Sequence, residues 1–370
     1  MTTSTTNRLR PNGTYPVDVK TLNGCFSFDL ARFKTDYGST NYFREAKVFA
    51  QPSRYESQGL VDFVCRYATR MSYMMVSELA HERCGGVSMS DQHIQHLVLE
   101  ASEQMGKRQQ AFIDQQACYS FPDLRLEDIY DSDNEEIVCM EDGVSVSEQK
   151  LCRDKIAKTS KQRTITDSLL IAKPEGGFAQ VVAATGVELG CLAQACLKRY
   201  YTGKKVGIVV LSDGSRTIKN RCVSLFGSQY VHILDWYHLQ RKVRDLMTMI
   251  APDKELKVAY CQELVGLLWR GEGAAALVKL RGYTYRNAVK WEELVNYLVK
   301  NESHLIDYGR RQSAGKPIGS GRMEKAGDLL VARRQKEKGM SWSAKGSRAL
   351  AVLTAHYNDG ATDYLQQQNC

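Results

Sequence analysis

Two strongly apolar segments, each ending at an aspartate, limit the folds open to this chain. The first is KVGIVVLS (205–212), followed by Asp213, and the second is VHIL (231–234), followed by Asp235. Continuous apolar runs of this length are typical of strands buried on both faces. A helix or turn pattern follows the first run and a clear helical pattern (236–250) follows the second. Strands alternating with helices predict an α/β sheet with some parallel pairs.

Patterns on either side extend this prediction. The segment 135–146 contains an expected strand that ends at Glu141-Asp142-Gly143. Further strands are expected at 164–172 and 179–185, and a helix is expected at 186–203. Residues 251–308 carry amphipathic helical patterns with little strand signal, which predicts a helical insertion. The segment from Gly319 to His356 predicts two more helices.

Composition is typical of a soluble globular protein whose cysteines are reduced. Of its 370 residues, 43% are hydrophobic and 25% are charged. No apolar run approaches the roughly 20 residues of a membrane span, and the polar N-terminus lacks a signal core. Eleven cysteines occur without a CxxC pair, which favours a reducing compartment. We therefore expect a cytoplasmic protein with no membrane partner.

Charge is unevenly distributed along the chain. Residues 123–136 are mostly acidic and are interpreted as a linker, whereas 150–163 and 310–348 are rich in lysine and arginine. A charge run is often only a solvated face. Two basic blocks in one chain nevertheless favour a polyanionic partner.

The N-terminal part divides into two kinds of sequence. Residues 1–50 show weak periodicity and predict a loosely structured or partner-dependent segment. Residues 57–105 predict helices, with Gly85-Gly86 between the second and the third and with Ser88 or Ser90 capping the third. This pattern fits either a DNA-binding helix-turn-helix or an ordinary helical hairpin. In the first case the outward groups available to DNA are Gln92, His93, Gln95 and His96.

Aspartates at predicted strand ends suggest a metal site. Asp142, Asp213 and Asp235 would gather at one crevice of the sheet, although Asp-Gly is also ordinary turn chemistry. Clustered carboxylates repel one another unless a cation neutralises them, and their hard oxygens suit magnesium or manganese. Glu324 follows a Gly-Ser-Gly turn, in which Ser320 could cap a helix. Here too a simple preference of the glutamate for the helix dipole is an alternative.

Two segments of the chain resemble a known protein family. The run LSDGSRTIKNRCVSLFGSQYVHILDWYHLQRKV and the later PIGSGRMEKAGDLLVARRQKEKGMSWSAKGSRAL are similar to bacterial insertion-sequence DDE transposases of the ISKra-type group, which are related to Mutator-like transposases. The resemblance extends over roughly residues 60–356. Its patterns are strand-Asp-Gly, strand-Asp-x-x-His, Gly-Ser-Gly-x-x-Glu and Gly-Met-x-Trp-Ser.

The resemblance implies a fold and a domain order. The fold would be α/β, with a ribonuclease-H-like mixed sheet interrupted by an all-helical insertion and preceded by a helical DNA-binding domain. The implied divisions are a helix-turn-helix-like region (1–122), an acidic linker (123–136), a catalytic domain (137–250 and 313–358) and the insertion (251–312).

The resemblance also implies an activity and its residues. The chain would bind terminal DNA and catalyse strand cleavage and strand transfer as a homo-oligomer on DNA, without a small-molecule substrate. It would act in the bacterial cytoplasm, associated with the nucleoid when bound to DNA. The alternatives are an inactive or domesticated DNA-binding derivative and a metal-dependent nuclease. The implied catalytic and metal-binding residues are Asp142, Asp213 and Glu324, holding two Mg²⁺ or Mn²⁺ ions. Accessory residues would be Asp235 and His238, and the expected DNA contacts are Gln92, Gln95, Arg322, Lys325, Arg333 and Arg334.

Overall fold

A computed structural model describes residues 9–35, 56–126, 128–149, 163–171 and 180–358. The chain forms two compact units, residues 1–104 and 105–370, that divide within a long helix. None of the described helices is long and apolar enough to cross a membrane.

The first unit begins with a β-hairpin. Strands β1 (Leu9–Thr21) and β2 (Gly24–Thr35) pair antiparallel along most of their length. Val17 and Val19 are buried on this ribbon. The prediction of a loosely structured segment over 1–50 is therefore wrong for residues 9–35, and the remainder of that segment lies outside the described residues.

Three helices complete this unit. They are α1 (Gln58–Ala68), α2 (Tyr73–Arg83) and α3 (Asp91–Gln116), of which α3 continues into the second unit. Ser57 and Ser72 cap the first two, and the Ser90 hydroxyl accepts from the His93 amide at the start of the third. The inward positions expected on α3 are buried, namely Ile94, Leu97 and Val98.

The second unit is built on a mixed six-stranded sheet, as expected. Its central strand is β7 (Lys205–Ser212), which pairs in parallel with β3 (Asp123–Arg125), β4 (Glu136–Ser147) and β8 (Val231–Leu234). On the other side of β4, β5 (Arg163–Ile171) and β6 (Gln180–Val182) continue the sheet antiparallel. The acidic stretch interpreted as a linker thus contributes β3 and the first residue of β4 to the sheet.

Helices cover the sheet and fill the predicted insertion. Those between strands, or directly after β8, are α4 (Leu189–Tyr201), α5 (Arg216–Phe226) and α6 (Trp236–Ile250). The insertion contains α7 (Lys254–Trp269), α8 (Gly273–Gly282), α9 (Ala288–Asn301) and α10 (Tyr308–Ser313), with a 3-10 turn at Glu302–His304. The C-terminal part contains α11 (Gly321–Gly327), a π-helical turn (Asp328–Ala332), α12 (Arg333–Gln335) and α13 (Ala344–Tyr357).

One apolar core joins β7 and β8 to α6 and the insertion. At its centre the Trp236 ring packs at 4.7 Å from Trp269 and 4.9 Å from Tyr308, between ring centroids. The Tyr308 hydroxyl donates to the Leu234 carbonyl over 2.8 Å. Aromatic burial and this hydrogen bond hold the end of the insertion against the end of β8.

Candidate functional site

Asp213 lies in a tight turn at the carboxyl end of β7. Its Oδ1 accepts from the Ser215 amide over 2.8 Å, and its side chain remains exposed. Gly214 has φ of 81°, and a Cβ there would lie 2.6 Å from the Asn301 side-chain oxygen. Only glycine fits between this turn and α9, so the Asp-Gly pair is explained by packing as well as by turn geometry.

Asp142 lies within β4 and not at its end, which corrects the predicted strand boundary. The pairing of β4 with β7 stops at Met140, but its pairing with β5 continues to Ser147. Asp142 is half-buried just beyond the last residue that faces β7, and its Oδ1 accepts from the Gly143 amide over 2.7 Å. The side chain therefore stands at the edge where β7 ends, although its own strand goes on.

Glu324 reaches the same edge from α11. This helix packs against β4, where a Cβ on Gly327 would lie 2.9 Å from Val144 Cγ2. The missing side chain lets α11 approach the strand closely. The Glu324 side chain is 43% exposed.

Asp142 responds electrostatically to the other two carboxylates. Burial raises the pKa of Asp142 above its usual value, the Gly143 N–H opposes this rise, and the charges of Asp213 and Glu324 add to it. A cation between such groups would relieve their repulsion. Among the described residues, no group of three or more His, Cys, Asp or Glu side chains is already arranged to hold a metal ion. The donor chemistry thus fits a hard divalent ion, whereas the present rotamers do not form a ligand set.

His238 separates Glu324 from Asp235. Its Nε2 lies 3.2 Å from Glu324 Oε1, and its Nδ1 lies 3.8 Å from Asp235 Oδ1. The ring also opposes part of the rise in the pKa of Asp142. An imidazole in this position can orient the Glu324 carboxylate.

Asp235 is buried and serves two parts of the chain. Its Oδ1 caps α6 by accepting from the His238 amide over 2.8 Å. Its Oδ2 accepts from both the amide and the hydroxyl of Ser320, the latter over 2.6 Å. The Ser320 hydroxyl therefore donates to Asp235 and makes no side-chain cap on α11. The expectation that Ser320 caps that helix is wrong.

The expected DNA contacts fall into two groups. Gln92 and Gln95 are exposed on α3, and Arg322, Lys325 and Arg333 are exposed in the C-terminal part. The segment joining α2 to α3 runs over 84–90, longer than the three or four residues of a helix-turn-helix. Of the other expected outward groups, His96 is exposed, while His93 is half-buried and lies 2.9 Å from Glu56.

Arg334 is not available to a phosphate, because it is buried. Its guanidinium lies 4.9 Å from the centroid of the Trp342 ring and donates to Met340 Sδ. Trp342 Nε1 in turn donates to the Gln335 carbonyl over 3.0 Å, and Ser343 caps α13. The Gly-Met-x-Trp-Ser segment is thus a packing element between α12 and α13.

Two residues near the carboxylates carry no signal in the sequence. Burial, and then the charges of Asp213 and Asp235, raise the pKa of Tyr297, which places this α9 side chain near both. Lys300 Nζ donates to the Gly214 carbonyl over 3.3 Å. Both belong to the insertion, and only the tertiary fold brings them to the strand ends.

Comparison with known proteins gives a distant structural match. No protein-family model and no curated protein matches the sequence. A solved structure that it matches is the Drosophila P element transposase strand transfer complex, at 12% identity, covering 84% of this chain and 80% of that one, with a TM-score of 0.27. A score of this size does not establish a common fold. The implied homo-oligomer and cytoplasmic location stay predictions.

Proposed function

We propose that this protein is a DNA transposase of the DDE type, which cleaves and joins DNA strands at the edge where β7 ends. The observation that carries the proposal is that Asp142 on β4, Asp213 after β7 and Glu324 on α11 come from three separate segments to one edge of the sheet, close enough for the charges of Asp213 and Glu324 to add to the rise in the pKa of Asp142. The sequence patterns around Asp213 and Glu324 support it independently.

The three carboxylates would hold divalent cations. When bound, Mg²⁺ or Mn²⁺ would supply Lewis-acid stabilisation of the attacking and leaving oxygens. Glu324 would have to turn from His238 toward the aspartates to share an ion with them. The exposure of Asp213 and Glu324 leaves room for a polymer, such as a DNA strand, to reach the site.

Exposed cations near the carboxylates would hold the DNA backbone. Arg322 and Lys325 lie on the same short helix as Glu324, and Arg333 follows the π-helical turn. Arginine and lysine neutralise phosphates and release counterions, so binding should weaken steeply with salt. On α3 of the first unit, Gln92 and Gln95 could read base edges.

The decisive experiment measures DNA cleavage and ion binding together. Supercoiled plasmid and short duplexes would be incubated with the full chain in Mg²⁺, Mn²⁺ or chelator, and Mn²⁺ binding would be measured by calorimetry. Asp213→Asn should abolish nicking and joining and weaken Mn²⁺ binding. Asp245→Asn, which alters an exposed carboxylate on α6, is the matched control and should change neither.

Each result has a defined meaning. Nicking without joining would identify a nuclease. Salt-sensitive DNA binding with no cleavage, and with no effect of Asp213→Asn, would identify a non-catalytic DNA-binding protein. Cleavage that persists in chelator would refute the metal-dependent mechanism.

A further inference from the structure

We propose that Asp235 is a positioning residue that sets the location of Glu324 by clamping the turn before α11. The proposal rests on the function proposed above, since it assigns Asp235 to the assembly of that site. Asp235 would not bind the metal ion or the DNA.

The clamp consists of three hydrogen bonds between distant segments. Asp235 Oδ2 accepts from the amide and from the hydroxyl of Ser320, and the Trp236 amide donates to the Ile318 carbonyl over 3.0 Å. Asp235 and Ser320 are 1% and 3% exposed. Bonds to a buried carboxylate are stronger than neutral ones, so this junction is held firmly.

The turn is also fixed sterically on its other side. A Cβ on Gly319 would lie 2.7 Å from Tyr237 Cε2 and 3.3 Å from Asp235 Oδ2. Gly319 therefore lies against the first residues of α6, and a side chain there would have to displace the Tyr237 ring. Its neighbour Ser320 has only the Asp235 carboxylate to receive its hydroxyl and amide protons in the described contacts.

The clamp acts on Glu324 because only one helical turn separates them. The Ser320 carbonyl accepts from the Glu324 amide over 3.1 Å. A shift of Ser320 would move Glu324 with it relative to Asp142 and Asp213. His238, whose amide is bound to Asp235, meets Glu324 Oε1 at the same time. Asp235 thus fixes both the helix that carries Glu324 and the imidazole beside it.

The chemistry explains why an aspartate is needed here. An N-cap alone is served equally well by asparagine. At this position, however, both carboxylate oxygens face donors: the His238 amide on one side, and the Ser320 amide and hydroxyl on the other. An asparagine would turn its NH₂ group toward one of these amides in either orientation, so one contact would be lost.

The test compares Asp235→Asn with a matched cap. Asp253 caps α7 by accepting from the Leu256 amide over 2.7 Å, is exposed, and has no cap contact beyond its own helix in the described bonds. We expect Asp235→Asn to raise the Mn²⁺ concentration for half-maximal nicking by about 10- to 100-fold, the usual effect of losing an outer contact to a metal ligand. Excess Mn²⁺ should restore part of the rate. Asp253→Asn should behave like the wild type.

A second readout needs neither DNA nor metal. Hydrogen exchange at the amides of residues 321–327 should accelerate at least about tenfold in Asp235→Asn, because the start of α11 loses its anchor, and should not change in Asp253→Asn. If Asp235→Asn does not fold, Ser320→Ala removes only the hydroxyl bond and should show smaller shifts in the same directions.

The outcomes separate the clamp from the proposed function. Unchanged exchange in folded Asp235→Asn would overturn the clamp. If Asp235→Asn does not fold, unchanged exchange in Ser320→Ala would overturn it. Faster exchange in a protein whose wild type does not cleave DNA would support the clamp and reject the proposed function. With a cleaving wild type, unchanged Mn²⁺ dependence would reject the role in positioning Glu324.

Discussion

Arg311 offers the sharpest test of how the insertion is fastened to the sheet. Its guanidinium is fully buried and donates to the carbonyls of Pro317 and Ile129, over 2.8 and 2.9 Å. It also binds both carboxylate oxygens of Glu136, the first residue of β4. Lys316 Nζ lies 3.3 Å from the same carboxylate. The pair therefore ties the end of the insertion to the start of a central strand.

Arg311→Met should destabilise the protein by about 3 to 5 kcal/mol, the usual result of removing one partner from a buried ion pair. The Glu136 side chain is only 6% exposed and would keep Lys316 as a charged partner, which favours the lower half of this range. The loss is large beside the total stability of about 5–15 kcal/mol typical of domains. Glu136→Gln should cost less in this background than it does alone, because its contact with Arg311 is already gone, although the Lys316 ammonium, only 8% exposed, then loses its carboxylate partner.

Urea unfolding followed by circular dichroism and tryptophan fluorescence would measure these differences. Arg310→Met is the control, since Arg310 is exposed and its guanidinium lies over the Tyr130 ring, 4.5 Å from its centroid. It should cost at most about 1 kcal/mol. A loss below about 1 kcal/mol for Arg311→Met, or a double variant less stable than the two single losses added together, would refute this reasoning.

Two further predictions concern other contacts in the second unit. Gly319→Ala should lower the free energy of unfolding in urea by about 1–3 kcal/mol, because the added Cβ meets the Tyr237 ring. Gly282→Ala is the control, because its Cβ faces open space, and it should be neutral or stabilising. Equal effects of the two substitutions would contradict the packing argument. Burial, and then the charges of His304 and Lys219, lower the pKa of His232 in the folded protein to about 3. The folded protein therefore keeps this imidazole neutral, whereas the unfolded chain takes up a proton below about pH 6.5. Stability is highest above pH 6.5 and is lost as the pH falls toward 3. Unfolding free energy should drop by about 2 kcal/mol between pH 6.5 and pH 5 through this histidine, and His232→Gln should flatten the profile; an unchanged profile would show that the imidazole is not the cause.

The parts of the fold with strong local patterns could be predicted from the sequence. The apolar runs before Asp213 and Asp235 are buried strands, and the segment from 251 onward is helical, because burial of whole strands and helix faces leaves a regular pattern. The hairpin at 9–35 was missed for the opposite reason. Among the described strands it forms a separate two-stranded sheet, and Phe26 and Phe28 stay 45% and 51% exposed, so no clean alternation marks it.

For the candidate site, the sequence indicated residues but not the contacts that these residues make. Asp142 was placed at a strand end because Asp-Gly resembles a turn, but the pairing with β5 carries the strand past it. Ser320 resembles a helix cap, yet a buried carboxylate far along the chain takes its hydroxyl. Arg334 belongs to a basic run that suggests a solvated face, and the Trp342 ring covers it. In each case a contact made by the folded chain overrides the preference that the local sequence suggests.

The insertion also determines when the site can exist during synthesis. The bond between Asp235 and Ser320 spans 85 residues of chain, and closing such a loop without help would cost entropy that grows with the logarithm of its length. Helices α7 to α9 lie between these two residues, and the hydrogen bond from Tyr308 to the Leu234 carbonyl brings the end of this segment back to β8. A nascent chain would thus complete its N-terminal unit and its sheet while Glu324 is still unmade. A chain released before residue 320 would leave Asp235 without its Ser320 partner and would lack Glu324, one of the three carboxylates of the proposed site.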